Sequence, residues 1–478
     1  MTGLSHTFPT RRGIGSQVSH YKREQGLLKC WTTQMEVQLD RLERMWREVL
    51  AHEAWVRGEL GASIDEARMW TRAPESRLQC TSFKIKRVSW SELSNAAFWQ
   101  HCMFANIPVL ITMPSDRQEN VFLGALAKEW TLEQTPRGQS PNTEPNRYLV
   151  NRGSILRSSY AECVVPVKEL MPDGEVRELR EKVTLREWIE RDLWRDPALY
   201  LKDWHFIKEH PHADLYTTPP FFREDWLDLY YRELRSYCDD FRFVYWGGKN
   251  SITPFHTDVL GSFSWSMNLA GSKHWTMEIP TRQIIHTCDA AETARARDAA
   301  PFLSPCEQTF TFLQESNEIV FVPSQWKHTV RNLDSDVLSV NHNWINGANV
   351  SFAFAVAEEE LTSMESNLAK FGPEVLAGVD AAHMNVLVRA CCSMSMDEIT
   401  VLCLLGILTS LKQIIKLQVN TVAVEKDVSS VLMTASIVRA RETLAKCISR
   451  FAIYLESEAL ERLCTRVLSW LENSKLFN

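Results

Sequence analysis

None of the twelve cysteines in this 478-residue chain stands in a CxxC spacing, and they form no dense framework. That excludes a zinc ribbon, a thioredoxin-like motif and a disulfide scaffold, and it reads as reduced, mostly buried thiols. Long hydrophobic runs are missing too. The longest, Val401–Leu411, is too short to span a bilayer, is bounded by Glu398 and Lys412, and reads as a buried helix. Nor is there an excess of positive charge: the net charge of −7 offers nucleic acid no sequence-wide attraction, whereas a mildly acidic body would suit a basic protein partner. The N-terminus lacks the charged-then-apolar pattern of a signal peptide. Arg11, Arg12, Lys22 and Arg23 do precede the first acidic residue, Glu24, which would also suit a transit peptide. What is present is ordinary for a soluble globular protein, with 45% apolar and 24% charged residues over a length that suggests about three domains. The expected setting is the cytoplasm, with the nucleus as the alternative, away from membranes.

Three regions follow along the chain. From about residue 27 to 72, Trp31, Met35, Leu39, Leu42, Met45, Trp46, Val49 and Leu50 recur at helical steps. The stripe should pack on the next domain or on a partner. From Ser82 the pattern is mixed: Phe83–Val88 alternates like a strand, Ser89–Met103 has helical periodicity, and Ile107–Thr112 reads as a buried strand. Thr135–Arg147, rich in Pro, Asn, Ser and Gly, should be an exposed loop or insertion. Short strands then recur, the first ending Arg195–Lys202 and the others at Phe241–Trp246, Trp265–Leu269, Trp275–Ile279, Thr309–Leu313, Ile319–Val322 and Leu338–His342. Many short strands with polar turns predict a sandwich or barrel. After Val350 the strands stop, and Phe352–Asn367, Ala382–Cys392, Met396–Gln418 and Val428–Asn473 read as helices. The expected division is a helical extension over 1–78, a catalytic domain over 79–350 and a helical domain over 351–478. The last should serve dimerisation (a homodimer through its helices) or substrate docking, or else cap one barrel face.

Chemistry concentrates in Ile252–Pro280, with His256 and Asp258 two residues apart and Lys273 seventeen residues after His256. If Ile252–Leu260 is a strand, His256 and Asp258 point the same way. A second apolar segment, Glu318–Pro323, leads to His328. Taken singly, the pair is a chance occurrence, His328 a satisfied core histidine and Lys273 a solvated hairpin lysine. Jointly, two histidines and one carboxylate with open positions on the metal describe the site of non-haem Fe(II) oxygenases.

The segments Asp240–Gly248 (DFRFVYWGG), Thr253–Asp258 (TPFHTD), Ser264–Ser266 (SWS), Phe321–Ser324 (FVPS) and Asn341–Asn346 (NHNWIN) resemble JmjC-domain 2-oxoglutarate oxygenases. Within these the chain resembles the JmjC-domain protein 4 branch, whose members hydroxylate a lysine of the eukaryotic translation termination factor. Tyr200–His205 (YLKDWH) is similar to a segment of that branch. The resemblance covers about residues 82–350, continues weakly into the helical tail, and implies an α+β protein. Its core would be a double-stranded β-helix (a jelly roll, cupin-like), between N-terminal helices and a C-terminal helical bundle. The implied cofactors are Fe(II), 2-oxoglutarate and O2, with His256, Asp258 and His328 as the catalytic metal ligands.

A buried carboxylate of 2-oxoglutarate needs a cation. Lys273 is the candidate, at an offset from His256 that matches a lysine used for this purpose in part of the family. By resemblance Thr253 shares that carboxylate, although strict alternation puts it on the face opposite His256, so Pro254 must kink the strand. Asn341, with Asn343 on the same strand face, and Tyr200 match further cosubstrate contacts. His274 and His342 should face away from the site. Phe255, Phe263, Trp265 and Trp326 are candidates for excluding water, or plain core. Lys327 stands where relatives carry a second histidine, which bears on the substrate. Three functions compete: lysyl hydroxylation of a protein, demethylation of N-methyl-lysine on histones, and a non-catalytic scaffold. No zinc-binding reader and no basic arm is recognisable, which favours the first.

Overall fold

The structure, a computed structural model, describes residues 35–71, 83–114, 119–134, 147–235, 239–280, 309–372, 378–417 and 423–473. The strands are β1 (Lys86–Ser89), β2 (Val109–Thr112), β3 (Thr131–Gln134), β4 (Arg147–Val150), β5 (Val164–Val165), β6 (Val167–Leu170), β7 (Val176–Glu178), β8 (Val183–Thr184), β9 (Leu199–Trp204), β10 (Arg242–Gly247), β11 (Ile252–His256), β12 (Phe263–Ala270), β13 (Lys273–Glu278), β14 (Thr309–Gln314), β15 (Glu318–Val322), β16 (His328–Asn332) and β17 (Val337–Trp344). Nine form one sheet in the order β1-β2-β15-β12-β17-β10-β9-β6-β7, and four form a second in the order β11-β16-β13-β14. The two sheets face each other as the expected double-stranded β-helix, and with the helices around it the chain is α+β.

Side-chain alternation explains the layers. In β15 every residue is buried: Ile319 and Phe321 join the apolar cluster under the helices, while Val320 and Val322 join the one between the sheets. Leu110, Trp275, Met277, Ile279, Phe310, Trp326 and Val330 complete that inner cluster. Beneath β12 and β17 the interior turns polar. Phe263, Trp265, Met267, Val340 and Trp344 belong to the outer cluster, whereas Ser264, Ser266, Asn341 and Asn343 line a cavity inside. This polar lining is the local reversal of an otherwise apolar core, and it places the site.

The longer helices are α1 (35–51), α2 (Glu53–Thr71), α3 (Trp226–Leu234), α4 (Val350–Ala369), α5 (Ala381–Cys392), α6 (Met396–Leu417), α7 (Ala423–Phe451) and α8 (Glu458–Glu472). The N-terminal stripe buries Met35, Leu42, Trp46 and Val49, but Leu50 is exposed and Trp31 lies outside the described residues. Its main partner is the other end of the chain. Trp46 meets Trp470 edge to face at 5.5 Å, and Ser63 Oγ lies 2.8 Å from Ser430 Oγ. A contact with the catalytic region is also made, Gln38 donating to Leu234 O at 3.1 Å. Helices from both chain ends therefore form one body. A continuous apolar cluster ties that body to the outer face of the large sheet, so the C-terminal helices cover a face of the barrel. The expected helix over Val428–Asn473 is two: α7 ends at Phe451, and Ser457 starts α8 by accepting from Leu460 N at 3.2 Å. The loop expected at Thr135–Arg147 lies outside the described residues except for Arg147, which opens β4.

α6 is by length and composition able to cross a membrane, yet 83% of its apolar window is buried within the protein. It packs so tightly on α3 that a Cβ added at Gly406 would come 2.1 Å from the ring of Trp226, itself buried. Gly406→Ala gains helix propensity of about 1 kcal/mol but over-packs this contact, at a cost of roughly 1–3 kcal/mol. The expected result is a net loss of stability in urea unfolding. A midpoint raised above wild type would show that α6 does not press on Trp226.

Candidate active site

β11 and β16 run antiparallel with His256 directly opposite His328, their ring centroids 4.3 Å apart. β11 ends at His256 instead of reaching Leu260. Asp258 follows in extended backbone (φ −63°, ψ 144°), so it still points to the same side as His256. Ser264 Oγ donates to Asp258 Oδ2 at 2.7 Å and orients it. One potential ligand atom from each of His256, Asp258 and His328 lies within 4.8 Å of the others.

Each histidine is held at Nδ1 by a carbonyl two residues earlier: His256 by Pro254 O and His328 by Trp326 O, both at 2.9 Å. A carbonyl only accepts, so Nδ1 carries the proton and Nε2 keeps its lone pair for a metal. Burial pushes the His328 imidazole down to about 4, with Asp258 pulling it up and His256 pushing it further down. It is therefore neutral at physiological pH, as a ligand must be. Trp275 stacks on its ring at 5.5 Å. Two imidazole nitrogens and a carboxylate on one side of the cavity suit Fe(II).

Lys273 lies in the same cavity, 2% exposed, with its Nζ donating to Ser339 Oγ at 2.5 Å. Burial, helped by the like charge of Lys202, pushes its ammonium down to about 7. Among the described residues no carboxylate pairs with it, and Ser266 Oγ, from a residue lining the same cavity, is buried without a partner. A buried cation with one hydroxyl acceptor is what an incoming dicarboxylate such as 2-oxoglutarate would complete.

The kink needed for Thr253 is a β-bulge. Thr253 pairs with Val330 and His256 with His328, three residues against two, which brings Thr253 onto the same face as His256. Thr253, Tyr200, Asn341 and Asn343 all line the cavity. Asn341 donates to Ser339 Oγ at 3.2 Å, and Asn343 to Ser262 Oγ at 3.0 Å. Tyr200 is pressed against Gly247, where a Cβ would come 2.7 Å from the ring, so the glycine makes room for the tyrosine.

None of the four candidates for excluding water lines the cavity, and all but Phe255 are plain core. Phe263 and Trp265 face the helices, Trp326 sits in the inner cluster, and Phe255 is exposed. Trp275 and Val330 line the site instead. Lys202 and Tyr245 line it too, and Ser264 and Ser266 gain roles that the motif alone did not give them. Period-two alternation from Tyr200 would have found Lys202. His342 faces away as expected, its Nε2 lying 2.9 Å from Asp225 Oδ2. Lys327 stands nearby, exposed, 5.6 Å from the Phe255 ring and 3.9 Å from Glu278.

Comparison with known proteins agrees with this geometry. Residues 243–344 match the family model described as JmjC domain, hydroxylase. The 2-oxoglutarate and iron-dependent oxygenase JMJD4 of Gallus gallus is 35% identical over 231 residues, 45% of this chain and 53% of the relative. Its counterpart from Danio rerio is 30% identical over 330 residues, 67% of this chain and 74% of the relative. Arginine-specific demethylase JMJ20 of Arabidopsis thaliana is 31% identical over 306 residues, 60% and 62% respectively. The chain thus spans between half and two thirds of the length of the Gallus gallus and Arabidopsis relatives.

Proposed function

Given that the chain belongs to the JmjC family of 2-oxoglutarate and iron-dependent oxygenases, we propose that it is an Fe(II)- and 2-oxoglutarate-dependent protein hydroxylase. The convergence of His256, Asp258 and His328 beside a buried, unmatched Lys273 carries this reading. Iron with 2-oxoglutarate and O2 would supply an oxidant for a C–H bond, with succinate and CO2 as co-products. The chain's own contribution is placement. Pro254 O and Trp326 O fix the two imidazoles, Ser264 orients Asp258, and Lys273 with Thr253, Tyr200 and Asn341 receives the cosubstrate carboxylate. Trp275 and Val330 keep water from the His328 side.

The finer reading is hydroxylation of a lysine in the eukaryotic translation termination factor, supported by the branch that the sequence resembles. Incubation with Fe(II), 2-oxoglutarate and purified termination factor should then give succinate and a one-oxygen mass gain on a lysine. Succinate without that gain would remove the named target, and no succinate at all would overturn the oxygenase reading in favour of a scaffold. The relative named as an arginine-specific demethylase favours demethylation as the second reading. Formaldehyde release from a methylated substrate would select it, because hydroxylation of an N-methyl carbon collapses to formaldehyde whereas a ring- or chain-carbon alcohol persists.

A further inference from the structure

We propose that Asp203 and the face of Tyr245 form the receptor for the cationic head of the substrate side chain, with Lys202 as a placeholder that the substrate displaces. The inference rests on the protein-hydroxylase reading with a lysine as target.

The argument begins in the backbone. β9 pairs with β10 through Leu201 opposite Trp246 and Trp204 opposite Val244, so three steps on β9 span two on β10. The extra residue falls at Lys202–Asp203, and Asp203 has φ +64°. A left-handed conformation is uncommon away from glycine, although aspartate tolerates it better than most. Bulges of this kind re-aim side chains beside active sites. Leu201 and Trp204 both remain in the outer apolar cluster, while Lys202 lines the cavity with the metal-binding residues. Asp203 stands behind that lining: its Oδ1 accepts from Tyr245 OH at 2.9 Å, and Tyr245 lines the same cavity.

Lys202 shows what this place holds. Its Nζ lies 3.2 Å from Asp203 Oδ1 and 5.1 Å from the centroid of the Tyr245 ring. An ammonium against a carboxylate and over an aromatic face is a recognition arrangement for a lysine. The side chain is 19% exposed, so it has a path to solvent. Lys168 Nζ stands 3.9 Å from Asp203 Oδ2 but is shared with Glu178 at 3.7 Å. Within this group two lysines balance two carboxylates, and replacing the Lys202 ammonium by that of a substrate leaves the charge unchanged. Iron and 2-oxoglutarate have no need of Asp203, since the triad and Lys273 serve them.

Opposite signs test the proposal. The protein is loaded with Mn(II) and 2-oxoglutarate without oxygen and titrated calorimetrically with an oligolysine peptide, against oligoglutamine of equal length, at physiological salt. Wild type should prefer oligolysine, Asp203→Asn should weaken that binding at least about tenfold, and Lys202→Met should tighten it. Equal binding by all three proteins, no preference for oligolysine, or weaker binding by Lys202→Met would each overturn the proposal. In turnover with termination factor, Asp203→Asn should raise the KM for the protein at least about tenfold and that for 2-oxoglutarate less than twofold. Wild type that binds oligolysine as expected but leaves termination factor unmodified would reject the named target and leave the receptor standing.

Discussion

Replacing His256 or Asp258 by alanine is expected to abolish conversion of 2-oxoglutarate to succinate while the protein stays folded. These two are the informative ligands because both are only half-buried. His328, by contrast, is 3% exposed and stacks on Trp275, so its removal would mix a packing defect with the chemical one. Loss of His256 leaves Pro254 O without its partner at the rim of a sheet, and loss of Asp258 leaves Ser264 Oγ without its acceptor, both modest costs. Loss of even an outer-shell partner weakens a metal site by 10–100-fold. Removing a ligand outright should therefore cost at least about a hundredfold in iron affinity. Iron content, succinate yield and thermal unfolding are measured on the same sample. Full turnover by a verified His256→Ala protein would refute the site.

Lys273→Met should raise the apparent requirement for 2-oxoglutarate at least about tenfold, and yet leave the free protein no less stable than wild type. The first effect follows from a hydrogen bond to a charged group, worth about 1.5–3 kcal/mol, against about 1.4 kcal/mol for each tenfold change in affinity. The second follows from the absence of any carboxylate paired with Lys273 among the described residues. A buried unmatched charge costs stability, and an apolar side chain of similar shape removes the cost. Burial lowers the ammonium from its ordinary 10.5 to about 7. Between those values the unfolded chain holds a proton that the folded protein does not, so wild-type stability should rise as pH climbs from 7 towards 10. Lys273→Met should lack that rise. Because the bound dicarboxylate favours the charged ammonium, 2-oxoglutarate should bind wild type with proton uptake above pH 7, and more weakly as pH rises. Buffer-dependent binding heats measure the uptake, and their absence would remove Lys273 as the anchor.

Much of the site was legible because its signals are local. His256 and Asp258 lie two apart in extended chain, and Lys273 opens the strand that follows the Ala270–Ser272 turn. Other features depend on how strands register. Thr253 looked misplaced by alternation, and only the bulge against β16 turns it to the cavity. Phe263 and Trp265 left two readings open in the sequence, site wall or plain core. Their face is the helical one, since the whole of β12 is buried on both sides and alternation has to be anchored by its partners. Trp275 was read only as part of a strand, and its stacking on His328 arises across the pairing of β13 with β16.

The resemblance to the JmjC family implied a 2-oxoglutarate anchor at Lys273 and an α+β jelly roll, whereas sequence alone determined the residue types and spacings of a two-histidine, one-carboxylate set and a run of short strands flanked by helices. These rest on chemistry and on periodicities of two and 3.6 residues, which a linear chain displays. Tertiary structure decided which faces of doubly covered strands look inward, where extra residues shift the register, and that the two helical ends of the chain pack on each other through Trp46, Ser63, Ser430 and Trp470. Contacts between residues hundreds of positions apart leave no periodic trace, because each partner carries only its own half of the fit.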